Sequence, residues 1–150
     1  MHGGAAARSR GGDAGDGGGA ILTYEAQSAA TAARAWALIA EPRRWSAWAP
    51  HVRGGWGLGE PEVLKGARGY ARLLGVLPVP ARITAKRKGR SWTWRVAALT
   101  LVHRVEPRGR GSLVAIDIEA PRALEPVVRA TYGPVVGLLV RRLARVAERE

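Results

Sequence analysis

His103 is the side chain best suited to proton chemistry in this sequence. It stands in Leu99–Glu106 (LTLVHRVE), where alternation puts Leu99, Leu101, His103 and Val105 on one face and Arg104 and Glu106 on the other. An imidazole titrates near neutrality, so on an inward face it can act as a general acid or base, or donate to a ligand carbonyl. The same placement suits a core histidine with satisfied partners. Tyr70 and Tyr132 carry phenols that could orient a polar ligand head or pack half-buried. Tyr132 directly precedes Gly133-Pro134, a disturbance expected to face the interior. Trp92 and Trp94 share a strand face and offer either a platform for a planar ligand or core filling. Trp45 and Trp48, three residues apart, read as staples of a short helix onto the sheet. Trp56, in a glycine-rich stretch, is expected near the mouth of any cavity. Arg82 alternates with Ala81 and Ile83 and points to solvent; in the reversed register it would meet a ligand carboxylate. Asp117, a lone acid opposite an apolar face, reads as surface.

Other chemistries lack their residues. The chain has no cysteine, which removes disulfides, thiolate metal sites and cysteine nucleophiles. Its three histidines, His2, His51 and His103, have no metal-ligand spacing. Neither a Ser-His-Asp order nor paired carboxylates emerge. The Gly-rich GGWGLGEP is a poor phosphate loop, because no strand-to-helix transition follows it. No cofactor is expected.

These side chains need elements to hold them. The 150 residues suit one domain. Residues 1–20 are glycine-rich, without β-branched or aromatic residues, and are expected to form a flexible tail outside a folded domain at 21–150. No signal-peptide run or bilayer-spanning segment is present, and a cytoplasmic setting is the expectation. The formal net charge is +12. That charge suits anionic partners, but the arginines are scattered, lysine is confined to Lys65, Lys86 and Lys88, and a GC-rich genome would produce the same composition. No specific nucleic acid is expected.

Ile21–Gln27 alternates as a strand, and Ser28–Thr31 suits a helix start before AARAWALIA. Pro42 ends that helix and opens a second, PRRWSAWAP. Six short β-like segments follow between glycines and prolines, near 51–56, 66–75, 79–88, 91–97, 99–106 and 112–119, with PRGRG as a hairpin turn. Short connections make an antiparallel meander. In the last strand Val114, Ile116 and Ile118 share a face. From Arg122 onward, apolar residues recur at helical spacing, with a bend or restart expected at Tyr132–Pro134.

The stretch AEPRRWSAWAPHV, the segment LVHRVEPRGRGSLVAIDIEAP and the long apolar–basic terminal helix resemble the SRPBCC (START-like) superfamily, in its polyketide cyclase/dehydrase-like branch. The resemblance covers about residues 21–150. It implies an α+β helix-grip fold, a curved antiparallel sheet wrapped around a long C-terminal helix, with an apolar cavity between them. Family members bind lipids, polyketides or other apolar molecules, and some are enzymes; fold alone does not confer catalysis. Independently, one helix cannot fill a wide concave sheet, and small residues at Ala67, Gly69, Ala71, Ala81 and Ala85 on inward positions leave room for a pocket.

The expected lining is Trp94, Leu101, His103, Val114, Ile116, Val128, Tyr132 and Val135. Three functions follow: a carrier or binding protein for a small hydrophobic molecule, a cyclase or dehydratase using His103 or Tyr132, or a basic protein binding anionic partners. Oligomeric state is not legible in the sequence.

Overall fold

Strands form where apolar and polar residues alternate, and helices where the period lengthens. The computed structural model describes residues 8–10, 19–49, 52–73 and 77–149. The elements are β1 (Arg8–Arg10), β2 (Gly19–Ser28), α1 (Ala32–Ala40), a 3-10 turn (Pro42–Arg44), α2 (Trp45–Trp48), β3 (Val52–Trp56), β4 (Arg68–Leu73), β5 (Leu77–Arg87), β6 (Ser91–Val96), β7 (Leu99–Arg108), β8 (Gly111–Pro121), α3 (Glu125–Ala130) and α4 (Tyr132–Arg149). The sheet is antiparallel throughout, in the order β1-β2-β8-β7-β6-β5-β4-β3. This is the helix-grip arrangement: α4 lies across β2 and β8 and also meets α1 and α2.

Within the expected tail, residues 1–20, Arg8–Arg10 pairs with Ile21–Thr23, and Gly19 and Ala20 already belong to β2, paired with β8. Backbone pairing at a free sheet edge needs no apolar side chains. The rest of residues 1–18 lies outside the described residues, as does His51. No helix is long and apolar enough to cross a membrane among the described residues.

Local signals account for most boundaries. The Thr31 side chain caps α1, accepting from the Arg34 backbone N–H at 3.4 Å. The terminal helix restarts rather than bends: α3 ends at Ala130, Thr131 breaks the run, and Pro134 falls in the first turn of α4, where its missing N–H costs nothing. The Ala97 turn at φ +53° and the Gly109 turn at φ +56° close the two hairpins that build β6 to β8. A bulge between Ile83 and Ala85 interrupts the β5 alternation. Ala81 is buried as expected, but Ala85 is exposed, because the extra residue turns it outward. The side chain of Ala71 lies outside the described ones.

The position of α4 depends on two glycines. Gly133 and Gly137, one turn apart, receive the Tyr24 ring from β2. A Cβ at position 133 would stand 2.0 Å from the Tyr24 hydroxyl and 2.9 Å from its Cζ; at 137 the nearest ring atom is at 3.3 Å. Gly133→Ala is therefore expected to destabilise the fold by about 1–2 kcal/mol, with overpacking exceeding the gain in helix propensity. Urea denaturation measures this, and Tyr24→Phe in the same chain should recover part of the loss. A Gly133→Ala protein as stable as the parent would remove the seating argument.

Candidate functional site

The C-terminal turn of α1 organises the interior. The last four carbonyls of a helix have no partner within it. Here each finds a donor. Glu41 N–H donates to Ala37 O at 3.2 Å and Val63 N–H to Ala40 O at 2.9 Å. The Trp48 indole donates to Leu38 O at 2.8 Å, and those of Trp45 and Trp92 both donate to Ile39 O at 3.0 Å. Two of these tryptophans come from α2 and one from β6, so a single helix end orients rings from both layers.

Those rings build a stack. Trp45 lies on Trp92 with centroids 5.6 Å apart and planes at 11°, and Trp92 lies on His103 at 3.8 Å and 5°. Trp94 stands edge-on to all three, at 5.4–5.7 Å. His103 Nδ1 is 3.3 Å from the Trp92 carbonyl oxygen, across the β6–β7 ladder that pairs the two residues.

Beside the stack lies a small apolar cavity of about 40 Å³. Its walls are Trp45, Trp48, Ala49, Trp92, Trp94, Leu101, His103, Ile116, Tyr132, Val136 and Leu139. Two polar features distinguish it. The Trp94 indole N–H is fully buried and has no hydrogen-bond partner among the described residues. Leaving such a donor unpaired costs about 1–3 kcal/mol. His103, meanwhile, is uncharged: burial pushes its imidazole down to about 3, against weaker opposing effects from the Trp92 carbonyl and Asp117. Burial likewise pushes the Tyr132 phenol above its ordinary value.

Of the expected lining, Trp94, Leu101, His103, Ile116 and Tyr132 converge on the cavity. Val114 and Val128 are buried elsewhere in the core. Val135 is 42% exposed, and Val136 takes the inward position. Each helical residue turns about 100°, so the restart at Thr131 decides which of two adjacent valines faces in. Trp45 and Trp48, read as staples, and Trp92, read as platform or core filling, are walls as well, and their spacing and alternation were the available signals.

Two expectations change. Trp56 is not at the cavity mouth. It is paired with Tyr70 on the outer face and stacks on it at 5.6 Å. Nor is Asp117 a lone surface acid: Arg104 holds both its oxygens, at 2.7 and 3.0 Å, and Thr23 donates to it at 2.7 Å. Among the described residues, no group of His, Asp or Glu could hold a metal ion.

Residues 20–148 match the family described as polyketide cyclase/dehydrase and lipid transport. Similar solved structures include a Bacillus halodurans protein, 13% identical, with a TM-score of 0.71 over 85% of this chain and 96% of that one. A START superfamily protein from Mycobacterium smegmatis is 15% identical, with a TM-score of 0.67 over 88% of this chain and 99% of that one. A Nitrosomonas europaea protein is 13% identical, with a TM-score of 0.70 over 86% and 94%. At these identities the likeness shows the fold alone. No curated protein matches the sequence.

Proposed function

The chain belongs to the polyketide cyclase/dehydrase and lipid transport family, and from that premise we propose that it binds one small, largely apolar molecule between α4 and the sheet. The unpaired Trp94 N–H carries this reading. It is a buried donor in the wall of an apolar cavity, and a ligand carbonyl or hydroxyl oxygen would satisfy it. His103 and Tyr132 bring an imidazole and a phenol to the same wall. Three further indoles, Trp45, Trp48 and Trp92, share the wall with aliphatic side chains, which favours a planar ligand.

The cavity of about 40 Å³ has room for a water or two, whereas small-molecule sites run to about 300–1,000 Å³. Binding therefore includes an outward movement of α4, with Tyr132, Val136 and Leu139 the side chains on the moving wall. The break at Thr131 is the natural hinge.

Carriage fits the site better than acid–base catalysis. A neutral His103 and a protonated Tyr132 can both hydrogen-bond, but neither is poised to exchange a proton near neutral pH.

Native mass spectrometry with organic extraction of the purified protein tests the proposal. A stoichiometric apolar adduct is expected. Trp94→Phe should weaken its binding by roughly tenfold, the worth of one hydrogen bond. The ligand-free variant should be as stable as the parent or more so, since its orphan donor is gone. No adduct, together with no thermal shift across lipids, sterols and aromatic polyketides, would mean that the interior is simply a filled core.

A further inference from the structure

On the other face of the sheet, three arginines stand abreast. Arg68 of β4 is the register partner of Arg82 of β5, and Arg82 is the partner of Arg95 of β6. Directly opposed residues project to the same side, and all three are exposed. Like charges so placed weaken a sheet. Among the described residues, no ion pair relieves them. The acids of this face lie further along it. Asp117 is held by Arg104, and Glu119 is separated from Arg95 by Thr100. The outer face is thus divided, with acids paired to Arg104 over β7 and β8 and the row of Arg68, Arg82 and Arg95 over β4 to β6.

The row borders a shallow depression of about 390 Å³ that also includes Tyr70 and Pro80. Tyr70 is 44% exposed and stacked on Trp56, so an aromatic ledge adjoins the cationic floor. Gly69 makes this ledge possible: a Cβ there would meet the Trp56 carbonyl at 2.0 Å. At about 4.8 Å between strands, three arginines span about 10 Å. That length suits two or three linked phosphates. It is short for a nucleic-acid track, which engages several nucleotides, and the row ends abruptly at Thr100.

We propose that this groove binds a soluble nucleoside di- or triphosphate, with the linked phosphates along Arg68, Arg82 and Arg95 and the base against Tyr70. Guanidinium groups match phosphate oxygens bidentately, and an aromatic ledge accepts any planar base. The site lies on the opposite face from the interior cavity and stands or falls independently of it.

Isothermal titration with ATP, and with inorganic pyrophosphate, at physiological salt tests it. The overall positive charge attracts any polyanion, so the comparison must separate local from global charge. Arg82→Gln removes the arginine shared by both pairs. Arg141→Gln with Arg142→Gln removes two exposed charges from α4 instead. One-to-one ATP binding is expected, weakened roughly tenfold or more by Arg82→Gln and less than about twofold by the α4 pair. Because Arg82→Gln relieves repulsion, its melting temperature should hold or rise, which a structural role for Arg82 would not allow. Trp56 is the exposed tryptophan, the other five being buried, so ATP should also quench the indole emission. The proposal is overturned by absence of saturable ATP binding, by equal losses in the two variants, or by binding confined to oligonucleotides or anionic vesicles.

Discussion

Trp92→Ala is expected to cost about 3–5 kcal/mol of folding stability, the range for deleting a large buried aromatic side chain. Trp92 is 1% exposed. Its removal takes away the centre of the Trp45–Trp92–His103 stack, the edge contact to Trp94 and one of two donors to Ile39 O. Chemical denaturation measures the loss. A second readout identifies its cause. The void left behind would adjoin the existing cavity and stay apolar, so free indole should raise the melting temperature of the variant more than that of the parent. A loss below about 1 kcal/mol would show that the stack is not the centre of the core.

The second large effect is a dependence on pH. An unfolded histidine titrates near 6.5, whereas His103 in the fold does so at about 3. Between those values the unfolded chain holds a proton that the native state refuses. Stability from this group is therefore complete above about pH 6.5 and is lost as pH falls towards 3, with a slope approaching about 1.4 kcal/mol per pH unit. Carboxylates add slopes of their own, so the informative quantity is the difference between the parent and His103→Phe, which keeps a ring against Trp92 but cannot titrate. By pH 4.5 the parent should have lost about 2–3 kcal/mol more than the variant. Parallel pH profiles for the two would place His103 in contact with water and restore it as a candidate acid or base.

Both effects arise from burial, and burial separates what the sequence could show from what it could not. Alternation identified the faces of β6, β7 and β8, because a strand side chain has only two directions and one of them was apolar. His103, Trp94, Leu101 and Ile116 were legible as inward residues on that basis, and the element order carried the helix-grip fold. The short period of a strand also explains the failure at Ala85: one extra residue in the β5 bulge reverses every later position, and nothing in the composition of that segment marks it. Helical phase has the same weakness, since the choice between Val135 and Val136 rests on where α4 restarts after Thr131.

Other properties belong to the tertiary structure, because they depend on residues far apart in the chain. The charge state of His103 follows from its depth among Trp92, Trp94 and Trp45. A sequence window shows an imidazole of ordinary pKa. The cavity shrank to about 40 Å³ because three indoles were drawn to the carbonyls at the end of α1. Arg68, Arg82 and Arg95 look scattered along the chain, and strand register alone brings them into one row. The local periods of the sequence determined which way its side chains point; only the packing of strand on strand and helix on sheet decided what they meet.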